Sequence, residues 1–220
     1  MLGLPGQSAD SWRATLCSAV SFPIRHISVY ILELDGQSPM AARVSEGKLF
    51  LPEEDLVADL YLETIDFLAS HGLDQYEISN FARAGSASRH NLKYWRRTPV
   101  YGFGLGSHSF DGSFRYANAA EMEDYCRIVE SGECAVAWKS EVTEKQALEE
   151  TFFLGLRLVD GVDTRNVASG FKGADAGLPA EYGITVEEFR ALGLLELDGS
   201  RLRLSRKGML LSNEVLELFV

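Results

Sequence analysis

His26-Ile27-Ser28-Val29-Tyr30-Ile31-Leu32-Glu33-Leu34 is the stretch on which the fold turns. Its apolar residues are β-branched or aromatic and run together without strict polar alternation. Such a run reads as a strand buried on both faces, as in a parallel sheet. Upstream, Leu2-Gly3-Leu4-Pro5-Gly6-Gln7 reads as a strand end entering a Gly/Pro loop, and Ser8 is placed to cap a helix over Asp10–Val20. Downstream, Pro52 with Glu53, Glu54 and Asp55 marks a helix start whose acids favour the positive end of the helix dipole. Leu56, Leu60, Ile65 and Leu68 give that helix its apolar face, and Gly72 stops it. Tyr76–Phe81 then reads as the next strand. Strand, helix, strand, helix, strand predicts a parallel sheet with helical crossovers, either the tail of a TIM-type barrel or an open doubly wound sheet. In both, function gathers at the C-terminal strand ends, here Gly3–Gln7, Glu33–Ser38 and Ser79–Arg83.

Beyond about residue 115 the pattern changes. Phe110-Asp111-Gly112-Ser113-Phe114 predicts a hairpin turning at Asp-Gly. Helical patterns follow over Ala120–Ser131 and Glu144–Arg157, the second opened by a Thr143/Gln146 capping box. A helical stretch over Val186–Ala191, a hairpin across Asp198-Gly199 and a last helix over Lys207–Leu218 resemble a winged-helix end. Arg201 and Arg203 alternate with Leu202 and Leu204, as the wet face of a small sheet does. Gly102-x-Gly104-x-Gly106 lacks the spacing of a nucleotide fingerprint and reads as close backbone packing.

Composition narrows the function classes. The 220 residues are 46% apolar, which is enough for a packed core. A formal charge of −11 disfavours nucleic acid, whose binding needs clustered Lys and Arg, and anionic membrane surfaces. No apolar run approaches the roughly 20 residues of an integral membrane segment. Met1–Asp10 has no basic-then-apolar leader. Cys17, Cys126 and Cys134 form neither a disulfide framework nor a Cys-x-x-Cys knuckle, which predicts free thiols in a reducing cytoplasm. His26, His71, His90 and His108 lack metal-ligand spacing.

Three motifs in order carry a resemblance: Gly3-Leu4-Pro5-Gly6-Gln7, Tyr76-Glu77-Ile78-Ser79-Asn80-Phe81-Ala82-Arg83, and Arg89-His90-Asn91-Leu92-Lys93-Tyr94-Trp95 followed by Gly102–Ser109. Together with Leu204–Asn213 they are similar to the radical-SAM coproporphyrinogen-dehydrogenase-like family. His90-Asn91-x-x-Tyr94-Trp95 resembles its HemW-type haem-chaperone branch, in which that motif is associated with haem. The resemblance implies an α/β fold: a partial TIM-type barrel over residues 1–115, then a mainly helical C-terminal domain over residues 116–220 with a winged-helix-like end. It implies haem contact through His90, Asn91, Tyr94 and Trp95, with haem and haem-accepting client proteins as partners. Arg89, Lys93, Arg96 and Arg97 are candidate propionate partners. On the residues alone, His90 and Asn91 cap a turn and Tyr94 and Trp95 are core. Gln7 and Ala82 match positions that contact S-adenosyl-L-methionine (SAM) in the family.

The family's three-cysteine motif for a 4Fe–4S cluster is absent, and so are its glycine-rich SAM contacts. The chain is therefore expected to hold the second half of a barrel, to be inactive alone and to self-associate through its uncovered edge. The competing reading is an oxygen-independent coproporphyrinogen III oxidase (dehydrogenase) of porphyrin biosynthesis.

Overall fold

The computed structural model describes residues 1–171 and 180–219, and the chain divides into two compact units, Met1–Ser88 and Arg89–Val220. Mixed helix and sheet runs through both.

In the first unit, Ser8 caps α1 (Ala9–Val20) through a reciprocal box with Ser11. β1 (His26–Ser28) follows, then the short α2 (Pro39–Ser45), which Ser38 caps and Pro39 opens. α3 (Glu54–Ser70) carries Glu54 and Asp55 in its first turn and ends before Gly72, whose φ of 74° only glycine adopts readily. α1 and α3 pack through Trp12, Leu16, Leu60, Tyr61 and Leu68, each at most 3% exposed. The indole of Trp12 donates to Thr64 Oγ1 (2.8 Å), which donates to Leu60 O (2.6 Å), so the polar atoms of this helix pair are satisfied.

The first unit's strands differ from the sequence reading in three ways. The stretch from Tyr76 to Phe81 is a tight hairpin, β2 (Asp74–Glu77) and β3 (Asn80–Ala82), rather than one strand. Tyr61 fixes the turn by donating to Ile78 O (2.7 Å), and its own oxygen accepts from Gln75 Nε2 (2.8 Å). β3 lies between β1 and β2, antiparallel to both. The expected parallel pairing is present at a single bridge, Leu2 with Ile31, where Leu2 N donates to Tyr30 O and Leu32 N to Leu2 O, both 2.8 Å. The run His26–Leu34 is regular only to Ser28, and Tyr30 is 51% exposed although Val29 is buried.

Inside this small sheet a carboxylate is buried. Glu77 is 2% exposed and accepts from Asn80 Nδ2, while Ser28 Oγ donates to Asn80 Oδ1. Beside it the His26 ring lies 2.9 Å from the Tyr76 hydroxyl, and burial pushes the imidazole below its ordinary pKa. The folded state then binds fewer protons than the unfolded state below about pH 6.5. Stability from this group is complete above that pH and is lost as pH falls towards the folded value. Urea midpoints at about pH 7.5 and about pH 5.5 should therefore differ more in the wild type than in His26→Gln. The same acid loss in both proteins would remove His26 from the account.

Phe22, Tyr30 and Phe50 of this unit are 63%, 51% and 77% exposed, and β1 and β2 are sheet edges. Uncovered strand edges and apolar side chains recruit other chains. The 220-residue chain alone should scatter light as a dimer or larger; a monomer at high concentration would contradict this.

The second unit begins with α4 (Arg89–Trp95). β4 (His108–Phe110) and β5 (Phe114–Asn118) form the expected hairpin. Asp111 closes it by accepting from Ser113 N (2.9 Å) and Phe114 N (2.7 Å), bonds that also hold its carboxyl below the usual range. After α5 (Met122–Glu130), β6 (Val136–Glu141) adds a third strand on β5. α6 (Glu144–Gly155) opens on the Thr143/Gln146 capping box. Then come β7 (Val162–Asp163), α7 (Thr164–Gly170), α8 (Ala180–Ala191), β8 (Leu195–Asp198) and β9 (Arg201–Leu204), the last two turning at Gly199. β9 is central in the sheet β7-β9-β8. The expected final helix is broken at Leu211 into α9 (Arg206–Leu210), α10 (Ser212–Leu216) and a 3-10 turn, Glu217–Phe219. The break lets Phe219 fold back and stack on Phe152 of α6 (centroids 5.0 Å, 15° between planes).

Candidate functional site

α4 divides the His90–Trp95 motif between two faces. At about 100° per residue, His90 and Tyr94 fall on one side of a helix and Asn91 and Trp95 on another. His90 and Tyr94 are exposed, with ring centroids 5.0 Å apart at 81°. Asn91 and Trp95 are half-buried. The outer face therefore presents an imidazole beside a phenol ring, with Arg89 and Lys93 also exposed nearby on the helix. A neutral imidazole is an iron ligand, a phenol ring offers flat apolar area, and cations pair with carboxylates.

The inner face is built differently. Arg157 lies over the Trp95 ring (5.5 Å) and over Phe153 (4.9 Å). Just past the helix, Arg97 adopts φ 49°, the one positive φ outside glycine among the described residues. Its Nε donates to Glu150 Oε2 (2.9 Å), and Arg115 Nη1 meets Glu150 Oε1 at 2.5 Å. Both guanidiniums approach the Phe110 ring (5.3 and 5.6 Å). Glu150 thus ties the end of α4 to the β4–β5 hairpin, and Arg97 belongs to the interior rather than to the exposed basic rim. A cavity of about 570 Å³ opens beside Trp95 and Arg97, walled in part by β7, α7 and Arg201. Trp95 Nε1 and Arg97 Nη2 are buried with no hydrogen-bond partner among the described residues. A lost partner costs a buried donor roughly 1–3 kcal/mol.

In the first unit, Gln7 is committed to its own loop. Its Oε1 accepts from Gly3 N (2.7 Å) and its Nε2 donates to Met1 O (3.2 Å). Ala82 is 5% exposed on β3, in register with His26 and Asp74. Gln7 keeps a second amide hydrogen and a second oxygen lone pair beyond these bonds, and Ala82 carries no polar side-chain atom, so the two residues are too few to make a SAM site by themselves. The cysteines are all exposed and unpaired, and no group of three His, Cys, Asp or Glu side chains among the described residues is arranged to hold a metal. No described helix is long and apolar enough to cross a membrane.

Sequence reading singled out His90, Asn91, Tyr94 and Trp95 together; the structure divides them between two faces of α4, and neither the cavity nor the Arg97–Glu150–Arg115 bridge was expected. The available signal was the basic pair Arg96-Arg97 followed by Thr98-Pro99, directly after the motif.

Residues 142–211 match the HemN C-terminal domain. The whole chain is 33% identical to a Bacillus subtilis protein named heme chaperone HemW, covering 57% of it. A Mycobacterium tuberculosis protein of the same name is 32% identical over 97% of this chain and 52% of its own length. The mouse mitochondrial radical S-adenosyl methionine domain-containing protein 1 is 33% identical over 98% of this chain and 51% of its own. In fold, the chain matches the Escherichia coli coproporphyrinogen III oxidase HemN, a radical-SAM enzyme, with a TM-score of 0.68 at 19% identity, over 99% of this chain and 53% of that one. The chain spans about half the length of the curated relatives it matches.

Along its whole length and in its C-terminal domain the chain is similar to the coproporphyrinogen-dehydrogenase-like radical-SAM family. Within it, the chain corresponds to the C-terminal part of a HemW-type protein.

Proposed function

We propose that this chain is the haem-contacting part of a cytoplasmic haem chaperone, which binds haem and passes it to haem-dependent client proteins. The observation that carries the reading is the exposed His90–Tyr94 pair on α4. In a chain related along its whole length to proteins named as haem chaperones, that pair would supply an imidazole to hold the iron and a flat ring beside it. Asn91 and Trp95, on the other face, hold the helix against its unit. Arg89 and Lys93 are the propionate partners, and Arg97 is bound to Glu150 instead. When bound, haem supplies the iron coordination; the chain binds it, orients it and releases it.

We read residues 1–115 as barrel-derived and residues 116–220 as the appended domain. Its α8–β8–β9 segment is winged-helix-like in order. Gln7 and Ala82 would join a SAM site only where further chain completes it. A haem titration of Tyr94→Ala tests the aromatic contact. Losing ring area worth roughly 25 cal/mol per Å² should weaken haem several-fold and leave the Soret position in place. Unchanged affinity would remove Tyr94 from the site.

The 220-residue chain should also take up no 4Fe–4S cluster. Cys17, Cys126 and Cys134 lack the Cys-x-x-x-Cys-x-x-Cys spacing, whereas a SAM-binding cluster needs three converging thiolates. Anaerobic reconstitution followed by iron and sulfide analysis checks this, and stoichiometric uptake would overturn it.

A further inference from the structure

We infer that the cavity beside Trp95 is a second ligand site, which takes an organic carboxylate on an apolar body. The inference does not depend on His90. Two donors, Trp95 Nε1 and Arg97 Nη2, are buried without partners among the described residues, and both residues line the cavity. Arg97 cannot turn away to find another acceptor, because its Nε is held by Glu150. The left-handed φ of 49° at Arg97 belongs to the stop of α4, which Thr98 N closes by donating to Lys93 O (2.8 Å), and this turn fixes where the Arg97 side chain leaves the backbone. Val162, Val167 and Phe171 supply apolar wall. The volume, about 570 Å³, lies within the range of small-ligand pockets.

Charge selects the ligand class. Arg96, Arg97 and Arg201 face two carboxylates, Asp160 and Asp163. Asp163 is already engaged, since its Oδ1 accepts from Arg165 N (3.1 Å) and lies 3.6 Å from Arg165 Nε. The surplus is one positive charge, and the orphan donors want an acceptor. A monoanionic carboxylate answers both needs, while an ammonium group answers neither. Such a carboxylate has two sources, a free small acid or a propionate of bound haem.

The test uses the 220-residue chain with ¹⁵N-labelled tryptophan. Benzoate is the probe and benzamide its uncharged counterpart. Trp12, Trp95 and Trp138 give three indole resonances, and Trp95→Phe identifies the one that matters. Benzoate should move the Trp95 resonance saturably and benzamide should not. Arg97→Gln should weaken benzoate roughly tenfold, the loss of about one charge-assisted bond. If Arg97→Gln fails to fold, Arg201→Gln should still weaken it several-fold. Haem moving Trp95 while its dimethyl ester does not would identify the propionate as the source; benzoate alone moving it would identify a free acid. A Trp95 resonance unmoved by both benzoate and haem, or moved equally by benzamide, overturns the site. So does benzoate affinity unchanged in every folded Arg variant. Soret changes at His90 are read separately, so failure here leaves the haem reading standing, and the reverse.

Discussion

Gly208→Ala should cost the second unit roughly 3 kcal/mol, more than ordinary overpacking, because the added atom meets main chain. A Cβ at Gly208 would lie 1.9 Å from Leu194 O and 2.8 Å from Leu194 C. Leu194 cannot retreat without loss. Its carbonyl accepts from Ser205 N (2.9 Å), and Ser205 Oγ both donates to Gly193 O (2.6 Å) and caps α9 by accepting from Gly208 N (2.9 Å). One methyl group therefore strikes the point where the strand β8, the end of β9 and α9 are joined. The contrasting control is Gly183 inside α8, where a Cβ would meet nothing within 4 Å among the described residues. Gly183→Ala should stabilise by about 0.5–1 kcal/mol, the helix-propensity difference. Urea denaturation of the two variants checks both signs. A Gly208→Ala midpoint equal to the wild type would mean that α9 and Leu194 do not approach so closely.

Features that local chemistry dictates were legible in the sequence. The Thr143/Gln146 box, the Ser8 cap, Gly72 as a helix stop, and the Asp-Gly turns at 111–112 and 198–199 all stand where the sequence puts them. Features set by distant partners were not. The Ile78–Ser79 turn contains no Gly or Pro; a hydroxyl 17 residues away, on Tyr61, holds it, so the apolar spacing read as one strand. β6 has a weak pattern of its own and is a strand because β5 pairs with it. The run after Ser28 looked buried on composition, yet Tyr30 and Ile31 are exposed. At the candidate site, the motif could not say that its residues point two ways. That division follows from Arg89–Trp95 being a helix rather than a capped turn. Nor could it reveal Glu150, 53 residues from Arg97, which takes one of the expected basic residues out of the rim.

His90→Ala is the other substitution with a large expected effect, because in the proposed site the His90 imidazole would hold the haem iron. His90 is exposed, and its one described ring neighbour is Tyr94. Removing the imidazole should therefore cost little stability, within the ±0.5 kcal/mol usual for surface positions. The loss should fall on haem. Without an iron–nitrogen bond, binding rests on flat area and on propionate pairing with Arg89 and Lys93. Affinity should drop by roughly tenfold or more, which is about 1.4 kcal/mol. The Soret band should move towards that of free haem, because the band reports the axial ligand. His26, inside the first unit, supplies the control: its replacement should lower stability and leave the haem spectrum of the folded fraction unchanged. The measurement is a haem titration of wild type and His90→Ala followed at the Soret maximum. The account predicts a displaced band and weakened binding in the variant, at an unchanged urea midpoint. An identical band with identical affinity would contradict it.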